Sequence, residues 1–110
     1  MQMNTVDPES LSFDLLVAGG GLAGVCAAVA ATRGGAAVAL VQDRPVLGGN
    51  ASSEIRVGVG GANQHNAWAR ETGLVEELLL ATGVGTPVSD VLLAEFVRRQ
   101  PNLTLFLNTS

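Results

Sequence analysis

Three glycines at a fixed spacing form the part of this sequence best suited to binding a charged ligand. Gly19, Gly21 and Gly24 occupy the glycine positions of a G-x-G-x-x-G run. Between a strand and a helix, the first permits a tight turn, the second lets a pyrophosphate approach the backbone, and the third lets the helix pack closely. The free N–H groups and the positive dipole end of such a helix face the phosphates. The spacing therefore predicts a dinucleotide site that includes Leu22 and Ala23.

The segments on either side of these glycines supply the strand and the helix that such a site needs. Residues 14–18, apolar after Asp14, predict a parallel strand buried on both faces. An alanine-rich helix is predicted over residues 22–33, and a second strand over residues 37–41. This is one βαβ unit. A plain strand-turn-helix with incidental glycines stays open as the alternative, because the chain contains 14 glycines.

The rest of the chain predicts further α/β structure around this unit. A flexible leader precedes it, a loop rich in glycine, serine and asparagine follows it, and two helices and a last strand complete the chain. These elements are the leader at 1–12, the loop at 51–66 with a possible short strand at 55–59, a helix at 67–81 capped by Gly83, a helix at 89–100 with Ser89 as its N-cap, and a strand at 103–107.

Composition limits the class of protein and its partners. With 110 residues and 47% hydrophobic content, the chain is expected to be part of a larger protein, because a small domain has much surface to cover with polar groups. A net charge of −4 without a basic run argues against nucleic acid. Glycines interrupt the uncharged stretch at 15–32, which argues against a membrane span. A single cysteine, Cys26, fits a reducing compartment, and we expect a cytoplasmic protein.

Other polar side chains provide weaker candidates for chemistry. His65 is the one histidine and lies in a loop, where a surface role is more common than a catalytic one. Glu54 and Arg56 either face a cofactor or pair with each other. Cys26 is expected to be a small buried side chain of the first helix. No cluster has the spacing of metal ligands, so no metal is expected.

The end of the second strand is where a dinucleotide-binding unit usually places an acid for the adenosine ribose. Gln42 stands there, 23 positions after Gly19, and its amide oxygen accepts hydrogen bonds without carrying charge. Asp43 is the alternative if the turn rotates. The sequence leaves open which of the two contacts the ribose.

Beyond this point the chain resembles a known family. The Gly-rich turn, residues 41–56 (VQDRPVLGGNASSEIR), the ARETG run at 69–73 and the closing segment at 102–109 are similar to FAD-dependent oxidoreductases. The resemblance implies FAD as the cofactor, and it implies a cofactor site formed by the glycine run together with Gln42, Asp43, Arg44, Gly48, Gly49, Asn50, Ser52 and Ser53. The cysteines that follow the paired glycines in disulfide reductases are absent here, which excludes cysteine-relay chemistry in this stretch.

We therefore expect an incomplete α/β unit with parallel strands, the N-terminal portion of a Rossmann-like FAD-binding domain over residues 13–110. Its function would be flavin-mediated hydride or electron transfer on a small-molecule substrate that the sequence does not identify. Two alternatives stay open. One is a fragment of an NAD(P)-dependent oxidoreductase, which Gln42 in place of an acid permits, and the other is a nucleotide-binding module without catalysis.

Overall fold

The computed structural model describes residues 11–61, 66–69, 72–82 and 88–110. A three-stranded parallel sheet lies at its centre, in the order β1-β2-β3. The parallel α/β prediction is confirmed. The strands and helices, in chain order, are β1 (Leu15–Ala18), α1 (Leu22–Arg33), β2 (Val38–Val41), a single 3₁₀ turn (Gly49–Ala51), α2 (Gly73–Thr82), α3 (Asp90–Arg98) and β3 (Leu103–Phe106).

One face of the sheet carries the hydrophobic core. Side chains alternate across a strand, so the paired residues Val17, Leu40 and Leu105 lie in one row, and all three belong to the core with the helices. The buried apolar side chains of this core are Val25, Ala28, Val29, Val38, Leu40, Leu47, Ala51, Leu78, Val88, Leu93 and Val97.

The opposite face of the sheet is open at β1 among the described residues. Leu16 is 63% exposed there, whereas its register partner Ala39 on the central strand is 2% exposed. The expectation that the first strand is buried on both faces is therefore wrong for this structure. The reason is position: β1 is an edge strand, and no described helix lies over the face that carries Leu16.

The loop and the two later helices differ from prediction in their boundaries. Residues 55–59 form no strand, because the backbone turns at Arg56, with φ of +68°, and the N–H of Val57 donates to the carbonyl of Asn50 within the same loop. The helix predicted from residue 67 begins at Gly73. Asn66 holds a turn instead, since its side-chain oxygen accepts the N–H of Trp68 at 3.1 Å.

The last helix begins as predicted. The hydroxyl oxygen of Ser89 accepts the N–H of Leu92, which makes Ser89 the N-cap of α3. The predicted leader at 1–12 falls almost wholly outside the described residues, and so do the predicted cap Gly83 and the loop histidine His65.

Candidate functional site

The turn between β1 and α1, which we call the glycine turn (residues 19–21), begins with a backbone conformation that favours glycine. Gly19 has φ of +111°, a region that L side chains rarely adopt. Its N–H donates to the carbonyl of Val41 at 2.8 Å, so the turn is anchored on β2. The turn thus reverses the chain directly at the carboxyl end of the sheet, where ligands of α/β proteins bind.

Gly24 lets the first turn of α1 lie against this backbone. A Cβ atom at Gly24 would lie 1.8 Å from the carbonyl oxygen of Gly19 and 3.5 Å from Cγ1 of Val17. No side chain fits in that space. The helix therefore packs on the turn as the glycine spacing predicts.

The N-terminus of α1 is open toward a cleft. Gly21 is the N-cap residue and supplies no side-chain hydrogen bond, and the first turn contains no acidic residue. The helix dipole and the first N–H groups are therefore available to an anion. The cleft, which we call the helix cleft, has a volume of about 390 Å³. It is lined by Gly21, Leu22, Ala23, Gly48, Asn50, Ala51, Val57, Gly58 and Val59.

The paired glycines, Gly48 and Gly49, pack directly on the glycine turn. Both have positive φ, of 113° and 59°. The N–H of Gly48 donates to the carbonyl of Gly20 at 2.8 Å, and a Cβ at Gly49 would lie 3.2 Å from Cα of Gly21. The two glycine-rich segments thus approach each other backbone to backbone, which brings Asn50 to the rim of the helix cleft.

Gln42 points into the protein. It is only 6% exposed. Its Oε1 accepts the N–H of Gly20 at 2.9 Å, and its Nε2 donates to the carbonyl of Val46 at 3.1 Å. Its amide thus has a protein partner at both its oxygen and its nitrogen. A contact between Gln42 and a ribose stays a prediction.

Asp43 is exposed and lies at a second cleft, which we call the strand-end cleft. This cleft has a volume of about 340 Å³ and lies at the carboxyl ends of β1 and β2. The segment after β3 closes one side, where the N–H of Thr109 donates to the carbonyl of Gln42 at 3.0 Å. The lining residues are Ala18, Gly19, Val41, Gln42, Asp43, Thr109 and Ser110.

Arg44 forms a two-point ion pair with Glu54. Its Nε lies 3.1 Å from Oε1 and its Nη2 lies 2.8 Å from Oε2 of that carboxylate. The hydrogen bond from Arg44 lowers the pKa of Glu54 below its ordinary value. The predicted pairing of Glu54 with Arg56 is therefore wrong. The chain turns after Ser52, and this turn brings Glu54 back to the residues that follow β2.

The two serines of the loop have protein partners. Ser52 is buried, donates its hydroxyl to the carbonyl of Gly49 at 2.7 Å and accepts the N–H of Glu54. Ser53 donates its hydroxyl to Oδ2 of Asp90 at 2.5 Å, which joins the loop to the start of α3. The serines thus shape the loop, and direct contacts from them to a cofactor stay predictions.

The structure adds two residues that sequence reasoning missed. Gly20 is buried, and a Cβ there would lie 2.5 Å from Cδ2 of Leu47 and 3.0 Å from Cβ of Gln42. The sequence signal for Gly20 was the run of three consecutive glycines, because Gly20 occupies the first x of G-x-G-x-x-G, where the motif does not require glycine. Thr109 lines the strand-end cleft, and its place after the last parallel strand was the signal for it.

Other features lie away from these clefts. A cleft of about 500 Å³ lies between α2 and α3 and contains no residue of either glycine segment. Burial raises the pKa of the Cys26 thiol, in keeping with a neutral, partly buried side chain. Among the residues that the structure describes, no three His, Cys, Asp or Glu side chains gather as metal ligands would. In the same part of the chain, none of the helices has both the length and the apolar character that a membrane-spanning helix needs.

Comparison with known proteins gives one match. A family model described as FAD dependent oxidoreductase matches residues 14–104. This range includes both glycine segments, all three helices, β1, β2 and the first two residues of β3. No curated protein and no solved structure matches significantly.

Proposed function

Because this chain belongs to the FAD dependent oxidoreductase family, we propose that it binds the adenosine and pyrophosphate part of FAD across the glycine turn, for hydride or electron transfer to or from a small-molecule substrate. FAD supplies the redox chemistry when bound, and the residues of this chain supply binding and orientation. The observation that carries the proposal is the open N-terminus of α1, capped by a glycine and facing a cleft.

The residues beside the helix cleft fit a pyrophosphate. The first turn of α1 presents backbone N–H groups and a positive dipole end without a competing acidic side chain. The absence of a Cβ at Gly21 leaves the backbone accessible, since the nearest atom to such a Cβ is 4.0 Å away. We assign the pyrophosphate to residues 21–24 and the adjoining ribityl chain to Gly48, Gly49 and Asn50. Ser52 and Ser53 support this loop.

The strand-end cleft fits the adenosine end. It lies on the other side of the glycine turn from the helix cleft, so an extended dinucleotide would cross the turn between them. We assign the ribose hydroxyls to Asp43, whose exposed carboxylate lines the cleft, in preference to Gln42. Arg44 borders this end and keeps its ion pair with Glu54.

In this proposal residues 13–110 are the N-terminal portion of a larger FAD-binding domain, preceded by the leader at 1–12. The open face of the sheet beside the edge strand β1 supports this, because Leu16 is a large apolar side chain left without cover. Residues elsewhere in the protein would then contact the flavin ring and the substrate. A cytoplasmic location is also proposed, on the ground that the one cysteine is free.

The test is the absorption spectrum of the protein expressed from its complete gene and purified without added cofactor. We expect the two visible bands of an oxidised flavin, loss of these bands on addition of dithionite, and release of FAD on denaturation. A colourless protein that binds NADH and does not take up added FAD would overturn the proposal. That result would favour the NAD(P)-dependent alternative.

A further inference from the structure

The two hydrogen bonds of the Gln42 side chain indicate a role for this residue that rests on the proposed FAD site. We propose that Gln42 is a positioning residue that holds the glycine turn against the segment leading to the paired glycines, and that it is not a ribose ligand. It acts on the cofactor through Gly20 and Val46, which it joins.

Three hydrogen bonds form this connection, which we call the Gln42 clamp. Gly20 donates its N–H to Oε1 of Gln42 at 2.9 Å, and Nε2 of Gln42 donates to the carbonyl of Val46 at 3.1 Å. The N–H of Gly48 donates to the carbonyl of Gly20 at 2.8 Å. Gly20 is therefore held at both its N–H and its carbonyl, between the two segments that line the helix cleft.

The clamp explains why an amide stands where the dinucleotide fold usually has an acid. The buried position must accept a hydrogen bond from Gly20 and donate one to Val46. An amide does both, whereas an ionised carboxylate has no hydrogen to donate and would direct negative charge at the carbonyl of Val46. Leaving either backbone group without a partner in a buried place is costly.

The decisive variant is Gln42→Glu, because the two roles predict opposite pH dependence of FAD binding. In the clamp, the introduced carboxyl reproduces both hydrogen bonds only while it is protonated. Burial and the Val46 carbonyl raise its pKa above the ordinary value. FAD affinity should thus be close to wild type near pH 5 and at least tenfold weaker near pH 8, with a transition between them. A ribose ligand predicts equal or tighter binding near pH 8, since an ionised carboxylate is the better acceptor.

Charged side chains adjacent to Gln42 in the sequence make controls necessary. Asp43 and Arg44 follow Gln42 in the chain, and Glu54 pairs with Arg44. Wild-type protein measured over the same pH range shows how far native groups change FAD affinity. Val97→Ala, in the core on α3, lowers stability without touching the clamp. Its FAD affinity should therefore not show the pH transition expected of Gln42→Glu.

A second variant and a second measurement complete the test. Gln42→Met keeps the length of the side chain and removes both hydrogen bonds, so we expect at least tenfold weaker FAD binding at every pH. In FAD-free protein, hydrogen exchange at the Gly20 amide should be faster in Gln42→Met, and in Gln42→Glu only toward pH 8 after correction for intrinsic exchange.

The outcomes separate this inference from the proposed function. If wild-type protein binds FAD, and Gln42→Met binds it equally well or Gln42→Glu binds it more tightly near pH 8, then the clamp is wrong and the FAD site stands. If wild-type protein takes up no FAD, the proposed function fails, and the Gly20 exchange in FAD-free protein still tests the hydrogen bonds.

Discussion

Single glycines of the turn have distinct tasks, and the space around each one identifies its task. Gly24 lies where any side chain would meet the carbonyl of Gly19, so its glycine is required by the fold. Gly21 has ordinary φ of −65° and room for a Cβ atom. Nothing in the described part of the chain requires glycine at position 21, which agrees with the proposed contact of this residue with the pyrophosphate.

We expect Gly24→Ala and Gly21→Ala to separate folding from cofactor binding. Gly24→Ala should lower the free energy of unfolding by about 2 kcal/mol or more, because overpacking moves the helix off the turn. Gly21→Ala should cost no more than about 1 kcal/mol, the usual effect of losing a favourable N-cap residue. It should nevertheless weaken FAD binding at least ~10-fold, or by about 1.4 kcal/mol.

Denaturant unfolding and titration of FAD-free protein with FAD measure these two quantities. Unchanged FAD affinity in Gly21→Ala would contradict the assignment of this residue to the pyrophosphate. A Gly24→Ala protein as stable as wild type would contradict the contact between α1 and the glycine turn.

Helices α1, α2 and α3 meet at the C-terminal end of α1 through one arginine. Arg33 forms a two-point ion pair with Glu77 of α2, at 2.6 and 2.9 Å. Its guanidinium also lies 5.7 Å from the ring centroid of Phe96 on α3. These contacts hold the far end of α1, and the glycine turn holds its N-terminus. The helix that faces the proposed cofactor is thus fixed at both ends.

Glu77→Gln tests the link between α1 and α2 through its pH dependence. The hydrogen bond from Arg33 lowers the pKa of Glu77, so the folded state favours the carboxylate. The resulting stabilisation is present above the unfolded-state pKa of about 4.3 and is lost as pH falls through the lower folded-state pKa. Because both side chains are partly exposed, the effect should be small and should decrease with salt.

Thermal unfolding of wild type and Glu77→Gln at neutral and strongly acidic pH measures this effect. We expect wild type to be the more stable only at neutral pH. Glu95→Gln is the matched control, because its partner Arg99 is the C-cap residue of the same helix, α3, and the pair is longer, at 3.4 Å, and more exposed. If Glu95→Gln lowered thermal stability at neutral pH as much as Glu77→Gln or more, the Arg33–Glu77 pair would have no special role in joining α1 to α2.

The described part of the chain forms a sheet with helices on one side. Leu40 of the central strand is fully buried beneath α1, whereas Leu16 on the other face remains exposed. The two clefts of the proposed cofactor site lie at the carboxyl edge of this sheet, so the packed face supports them. Stability at the core and binding at the edge should therefore respond to different substitutions.

Leu40→Ala and Leu16→Ala compare the two faces with the same chemical change. We expect Leu40→Ala to lower the free energy of unfolding by about 2–5 kcal/mol, since it removes buried contacts and leaves a cavity. Leu16→Ala should cost less than about 1 kcal/mol. Denaturant unfolding of both variants measures the difference, and equal losses would show that the face of Leu16 is covered.

The sequence by itself determined the elements and their order. Apolar runs, the helix-breaking glycines and the Ser89 cap are local signals, and they predicted three parallel strands and three helices with errors mainly at boundaries. The glycine spacing also predicted the turn and the close packing at Gly24, because backbone geometry depends on the absence of a side chain. The family followed from a longer motif in the same region.

Only the tertiary structure decided which polar groups meet and which faces are covered. It turned Gln42 inward to Gly20 and Val46, and it paired Arg44 with Glu54. It also left one face of β1 open, although the strand reads as buried on both faces. The physical reason is that a side chain's partners depend on how distant segments approach in space, whereas the conformational needs of a glycine turn are local to the chain.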